Sequence, residues 1–240
     1  MQILGLALLA FVVAYGFGDR GDAQVSAFDV HAAVMVLVGS ASAILVSSST
    51  ATAFRTLLVL REILPGLGRI SKETDAIEAE RVMLADLWRD GKRAQAVELA
   101  EHSVNPAIER MLKLVLDRAP DDAVRAAFTE LRHADLSRWQ PAVSNWELLS
   151  KLAPSFGMVG TITGMIQLFK SMGEDDMNLG AAISLALLAT LYGVAFGAGV
   201  AGPIGHFLRN KLDERLGVLE RCEQSVAEMI ARAARGAAAG

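Results

Sequence analysis

The chain has 240 residues, 52% of them hydrophobic, with a mean hydropathy of +0.36 and a formal charge of −4. Such a balance suits an integral membrane protein with a polar insert, and its mild acidity lacks the basic footprint that nucleic-acid binding requires. The single cysteine, Cys222, excludes an intrachain disulfide framework and a multi-cysteine metal site, and reads as an inert thiol.

The first apolar run covers residues 1–18. No Lys or Arg precedes it and no small-x-small cleavage site follows, so it reads as a retained helix and not a secretion signal. After the polar stretch Asp19–Asp29, a second apolar run begins at Val30 and ends at Phe54. Further on, Leu152–Phe169 and Leu179–Leu208 contain no Asp, Glu, Lys or Arg. A helix crossing a bilayer needs about 20 such residues. The expectation is four spans, at 2–18, 30–53, 150–171 and 179–208. The domains that follow are an N-terminal transmembrane hairpin (1–54), a helical cytoplasmic insert (55–149), a C-terminal transmembrane hairpin (150–208) and a cytoplasmic tail (209–240). Flanking cations orient the spans. Arg55, Arg61, Arg69, Arg138, Lys151, Arg209, Lys211 and Arg215 lie on the insert's side, whereas the opposite loops carry Asp19, Asp22 and Asp29, and Glu174, Asp175 and Asp176. Both termini and the insert are therefore expected in the cytoplasm. Trp146, just before the third span, reads either as an interfacial anchor or as a packing residue of the insert.

The insert reads as short helices. Ser71 is the expected cap of a helix running through Ile77, Met83, Leu84 and Leu87, broken by Asp90-Gly91. A second carries Ala94, Val97 and Ala100. Asn105-Pro106 starts a third, with Ile108, Met111, Leu112, Val115 and Leu116 on its buried face; Pro120 and Pro141 punctuate the rest. His102 and His133 stand far apart without a ligand cluster, and there is no GxxxxGK[ST], GxSxG or HExxH, so neither metal nor cofactor nor catalytic site is expected.

The last two spans carry the most specific pattern. Ala189, Gly193, Gly197, Ala201 and Gly205 recur every four residues, and Gly160–Gly164 is a second small-xxx-small pair. Lipid contact has no need of such stripes; close helix packing has, within the chain or between copies. Thr161, Thr163, Ser184 and Thr190 place hydroxyls among these faces. Pro154 reads as a helix start and Pro203 as a kink. No span carries a mid-membrane Asp, Glu, Lys or Arg, and His31 and His206 lie near span ends. Two readings stay open: a packed anchor without ion traffic, or a channel whose partner inserts the missing carboxylate against Thr161 and Thr190.

The runs Ala153-Pro154-Ser155-Phe156-Gly157-Met158-Val159-Gly160-Thr161 and Ala186-Leu187-Leu188-Ala189-Thr190-Leu191-Tyr192-Gly193, with Phe28-Asp29-Val30 and Val36-Leu37-Val38-Gly39-Ser40 upstream, resemble the MotA/PomA family of flagellar stator subunits, part of the wider MotA/TolQ/ExbB proton channel group. The resemblance implies a pentameric ring around paired MotB-type helices, each bringing a transmembrane aspartate, in the bacterial inner membrane. It implies that proton flow drives rotation and that the insert engages the rotor protein FliG. Thr161 and Thr190 match the family's hydroxyls on the ion path, with Ala189 beside them; Pro154 and Pro203 match its functional prolines. Arg89, Gly91 and Glu98 look like its rotor-facing segment, although Asp90, Lys92, Arg93 and Glu101 compete for that role. The chain departs from the family in its short Ala/Gly-rich end, Arg235 to Gly240, and in alanine at 189, where sodium-driven relatives carry a second threonine. A hard cation needs several oxygen ligands, so the missing hydroxyl points to protons. The rivals are an ExbB/TolQ-type energiser, whose chains place one span before the insert, and a non-conducting scaffold.

Overall fold

The computed structural model describes residues 30–63, 68–172 and 179–238, and every regular element among them is a helix. In chain order these are α1 (Val30–Ser47), α2 (Thr50–Leu58), a short 3-10 turn (Val59–Ile63), α3 (Arg69–Arg89), α4 (Arg93–His102), α5 (Pro106–Leu116), α6 (Asp121–Ser171), α7 (Leu179–Phe196), a π-helical turn (Gly197–Ala201) and α8 (Gly202–Ala238). They group into two compact units. One is Met1–Ile63 with Pro141–Leu208, the other Leu64–Gln140 with Arg209–Gly240.

Three of these helices are long and apolar enough to cross a membrane: one at Val30–Ser47, one within Asp121–Lys170 and one within Ala186–Arg235. They coincide with three of the expected spans; the expected span at 2–18 lies outside the described residues. In α1 only one stripe is buried, Ala32, Val36, Ser40 and Ile44, each four residues on from the last. Val34, Leu37, Val38, Leu45 and Val46 are exposed, as suits a helix solvated by hydrocarbon. The buried Ser40 hydroxyl donates to the Val36 carbonyl at 2.6 Å, which satisfies it within its own helix.

The second span does not run unbroken to residue 53. Ser49 caps a new helix by accepting the Thr52 N–H at 3.3 Å, so the chain turns at Ser48-Ser49. The turn is tied to α6 by buried polar groups. Asn145 Nδ2 donates to the Thr56 hydroxyl at 2.8 Å, Ser48 donates to Asn145 Oδ1 at 3.0 Å, and the Trp146 indole N–H donates to the Thr56 carbonyl at 2.9 Å. Trp146 is thus buried with a satisfied N–H, and it packs within the unit of the spans and not within the insert.

α6 and α7 pack backbone to backbone. A Cβ at Gly193 would lie 2.6 Å from the Ala153 carbonyl oxygen and 3.0 Å from the Gly157 Cα. A Cβ at Gly197 would lie 2.6 Å from Pro154 Cδ, and one at Gly160 2.5 Å from the Ala189 Cβ. At Gly164 the obstacle is the Ala186 Cβ, at 2.9 Å; at Gly205 it is Glu147, at 3.2 Å. Of the two options the stripe left open, the contact within the chain is realised, and Gly157 joins the set. The prolines differ from expectation. Pro154 lies inside the 51-residue α6, as does Pro141, so neither starts nor ends a helix. Each removes one backbone hydrogen bond, but the helix continues because Ala142, Val143, Trp146, Leu149 and Ala153 are buried around them. The kink expected at Pro203 takes the form of the π turn at Gly197–Ala201, where the helix widens ahead of a residue that cannot donate.

The other unit has one apolar core. Ile77 and Leu84 of α3, Ala96 and Ala100 of α4, and Ala107, Ile108, Met111, Leu112 and Val115 of α5 pack with Val124 and Phe128 of α6 and with Val218, Leu219, Cys222, Val226 and Met229 of α8. The segment 209–240, expected as a tail, is largely the rest of α8, and its apolar face completes this core. Met83 and Leu116, expected on buried faces, are 54% and 52% exposed, because each lies off the stripe its neighbours bury. Ser71 is not a cap: α3 starts at Arg69 behind Gly68. Pro106 opens α5 behind Asn105 as expected, and Gly91 ends the α3–α4 turn with φ of 75°, where a side chain would be strained. Arg215, 8% exposed, holds Asp135 at 2.7 Å and Glu73 at 3.3 Å. Arg81 grips Glu78 with both ends of its fork, at 2.7 and 3.0 Å, and this hydrogen bonding holds the Glu78 carboxyl below its ordinary range.

Two outcomes follow from this packing. Gly193→Ala forces a methyl into a backbone carbonyl, so the purified protein should lose about 1–3 kcal/mol, read as a lower Tm in detergent. Burial pushes the Cys222 thiol up to about 12. Only the neutral, unreactive form is then populated at neutral pH, so maleimide should label Cys222 after denaturation and leave it unlabelled in the folded protein.

Candidate functional site

Of the hydroxyls expected among the packed faces of the third and fourth spans, Thr161 and Thr190 meet, at the glycine contact. Gly157 and Gly160 on α6 let α7 approach closely enough for the Thr161 and Thr190 hydroxyls to hydrogen-bond to one another directly. Around that pair stand carbonyl acceptors. Thr161 Oγ1 lies 3.1 Å from the Ala186 carbonyl and 3.2 Å from that of Gly157, and Thr190 Oγ1 lies 3.5 Å from the Gly157 carbonyl. Each hydroxyl has one proton and two lone pairs. The pair therefore offers a small, adaptable set of donors and acceptors in a region without charged side chains. Both threonines are half-buried.

Ala189, one position before Thr190, is buried, and its Cβ occupies the space that a side chain at Gly160 would need. Pro154 sits one turn from Gly157 on α6 with its ring against Gly197, and is half-buried; Pro203 is exposed.

A cavity of about 250 Å³ lies beside this hairpin, lined by His31 and Met35 of α1, by Gly160, Thr163 and Gln167 of α6, and by Ala189 of α7. Thr163 donates to the Gly160 carbonyl at 3.0 Å. Sequence reasoning set Thr163 and His31 apart as a packing hydroxyl and a span-end histidine; it missed Gln167 altogether. The signal for Gln167 was its spacing, four residues after Thr163 and thus on the same helix face.

Arg89 and Glu98 lie in the other unit. Arg89 ends α3, is exposed and pairs with Asp86; Glu98 is exposed on α4. Neither contributes to the apolar core. Among the described residues no group of three or more His, Cys, Asp or Glu stands close enough to hold a metal ion.

Comparison with known proteins gives a consistent picture. Residues 99–221 match the family described as the MotA/TolQ/ExbB proton channel family. The chain is similar to motility protein A of Aquifex aeolicus, with 31% identity over 110 residues, 45% of this chain and 42% of that protein. It is also similar to the chemotaxis protein PomA of Vibrio alginolyticus, with 28% identity over 142 residues, 59% of this chain and 55% of that protein. The match thus spans about half the length of these relatives. The fold is like that in a structure of the flagellar MotAB stator complex from Bacillus subtilis, with a TM-score of 0.75, 20% identity, and coverage of 95% of this chain and 89% of that one.

The hydroxyl pair generates its own test. Thr161→Val and Thr190→Val keep side-chain shape and delete the oxygens. In a double-mutant cycle on thermal unfolding in detergent the two changes should couple by about 1 kcal/mol, because each hydroxyl is the other's partner. Strict additivity would show that the two hydroxyls do not bond in the folded protein.

Proposed function

Because the chain belongs to the MotA/TolQ/ExbB proton channel family, we infer that it is a channel-forming stator subunit of a flagellar motor and that it couples proton flow to rotor torque. One observation carries this reading. The two hydroxyls are held together at a glycine-lined helix contact, in spans that contain no carboxylate of their own. An ion path through hydrocarbon needs an ionisable group near its centre. A single-span MotB-type partner bearing a transmembrane aspartate would supply that group, and Thr161 and Thr190 would receive it. Hydroxyls beside a carboxylate donate to its ionised form and accept from its protonated form. The pair would thereby serve both states of the partner's acid during each turnover.

The glycine-packed hairpin supports a second element of the reading, a ring of copies, pentameric by likeness to the family, that encloses the partner helices. Pro154 and Pro203 flank the π turn, where the backbone hydrogen bonding is already rearranged, and would carry the conformational response to proton transfer. Ala189, packed on Gly160, leaves no second hydroxyl for a sodium ion, which favours protons. The cation-rich flanks of the spans favour an orientation with both termini and the 55–149 insert in the cytoplasm of a cell with an inner membrane. There the exposed Arg89 and Glu98 would meet the rotor protein FliG. The names of similar relatives, motility protein A and PomA, favour a stator over an ExbB/TolQ-type energiser.

The deciding measurement is proton uptake in vesicles. The chain reconstituted with a partner carrying its transmembrane aspartate should conduct without sodium, and the chain alone should not. Thr190→Val should cut flux while the complex still assembles. Robust flux from the chain alone would overturn this division of labour.

A further inference from the structure

A second concave site lies in the unit formed by Leu64–Gln140 and Arg209–Gly240. It is a cavity of about 550 Å³ walled by the end of α3, the start of α4, the α5–α6 turn and α8. Four arginines line it: Arg89, Arg93, Arg118 and Arg232. Its one acidic lining residue is Glu228. Arg89 is partly neutralised by Asp86, but Arg118 and Arg232 have no ion-pair partner among the described residues. Four guanidinium groups gathered on one concavity repel each other, and a lone carboxylate leaves the excess uncompensated. Nothing in the apolar core requires this gathering, since all four side chains reach outward from it.

Arg118 shows that the arrangement is specific. It has φ of 47°, the one non-glycine residue with positive φ among the described residues. It is the residue just past the end of α5, where its N–H bonds the Val115 carbonyl at 3.3 Å and the next N–H, of Ala119, reaches back to Leu114 at 3.0 Å. That is a left-handed helix stop, a position glycine usually fills because any Cβ is strained there. An arginine in its place needs a reason outside the turn, and its side chain lines the cavity.

The remaining walls are of a different kind. Trp88 lies beneath Arg93, whose guanidinium carbon is 5.4 Å from the ring centroid, and Ala85, Met229 and Ala233 add apolar surface. Guanidinium forks match phosphate oxygens in pairs. A planar base has a cation–aromatic stack and an apolar wall to lie against. The volume falls within the range of about 300–1,000 Å³ typical of small-ligand sites, which favours a small molecule over an extended protein surface. We propose that this cavity binds a nucleotide-class anion, a planar base carrying a phosphate chain. The assignment is of binding alone. The site shares no residue with the threonine pair, so it stands independently of the ion-flux reading; it shares Arg89 with the proposed rotor contact, so its test uses Arg118 and Arg232.

Calorimetric titration of the full-length chain in detergent tests it, with ADP, GDP, pyrophosphate and adenosine as probes. ADP and GDP should bind, pyrophosphate more weakly and adenosine not at all. Arg118→Gly removes the whole side chain at a position whose left-handed backbone suits glycine; Arg232→Ala acts on an exposed side chain. Each should weaken ADP by about tenfold while circular dichroism stays unchanged. Trp88→Ala should weaken ADP and leave pyrophosphate as it was. Absence of any nucleotide heat at millimolar concentration, unchanged affinity in the Arg118/Arg232 double variant, or equal affinities for ADP and pyrophosphate would each overturn the assignment. Loss of torque in Arg118→Gly without any nucleotide binding would also overturn it, and would give the cleft to an acidic protein surface.

Discussion

Close backbone contact between α6 and α7 is the constraint on which the membrane unit depends. In hydrocarbon there is no hydrophobic gain from burying one apolar helix against another, so association relies on packing and on hydrogen bonds. Gly157, Gly160, Gly193 and Gly197 allow carbonyl groups and Cα atoms of the two helices to come within van der Waals distance. That approach brings Thr161 and Thr190 together, because short hydroxyl side chains reach across only where the backbones nearly touch. The same contact buries Ala189 and seats the Pro154 ring on Gly197. Site and scaffold are therefore one arrangement.

The two units meet the polar-group problem differently. Within the membrane-spanning segments the hydroxyls are neutral and several find an acceptor in their own helix, as Ser40 does on Val36 and Thr163 on Gly160. In the other unit charge is abundant, and burial is limited to groups that pair, as Arg215 does with Asp135 and Arg81 with Glu78. An isolated buried charge costs far more than a satisfied hydroxyl. The contrast makes the excess of arginines around the 550 Å³ cavity informative, since four guanidinium groups there face one lining carboxylate.

Apolar length, charge-free runs and small-residue spacing make the spans and the threonine pair legible in the sequence. All three are local properties of the chain, and the physics behind them does not depend on which helix comes next. The glycine stripe marks the contact surface; its choice of partner within the chain comes from the fold. Likewise Asp90-Gly91 and Asn105-Pro106 mark helix ends correctly, because the strain at φ of 75° and the missing proline donor act locally. Pro141 and Pro154 mislead for the opposite reason. Their local penalty of about 3 kcal/mol each is outweighed by burial of neighbours along α6, which propensity does not register.

By itself, then, the sequence determined the all-helical class, the membrane-crossing segments among the described residues, the family, and the small and hydroxyl residues of the last two spans. Only the tertiary structure decided that α6 runs unbroken from residue 121 to 171, that α8 completes the second unit's core in place of a tail, and that Gln167 faces a cavity beside the threonines. It also decided that Arg89, Arg93, Arg118 and Arg232, as much as 143 residues apart in the chain, converge on one concavity. Periodicity and composition report what each segment prefers. Which segments meet is set by the close packing of side chains distant in sequence, and no local pattern encodes it.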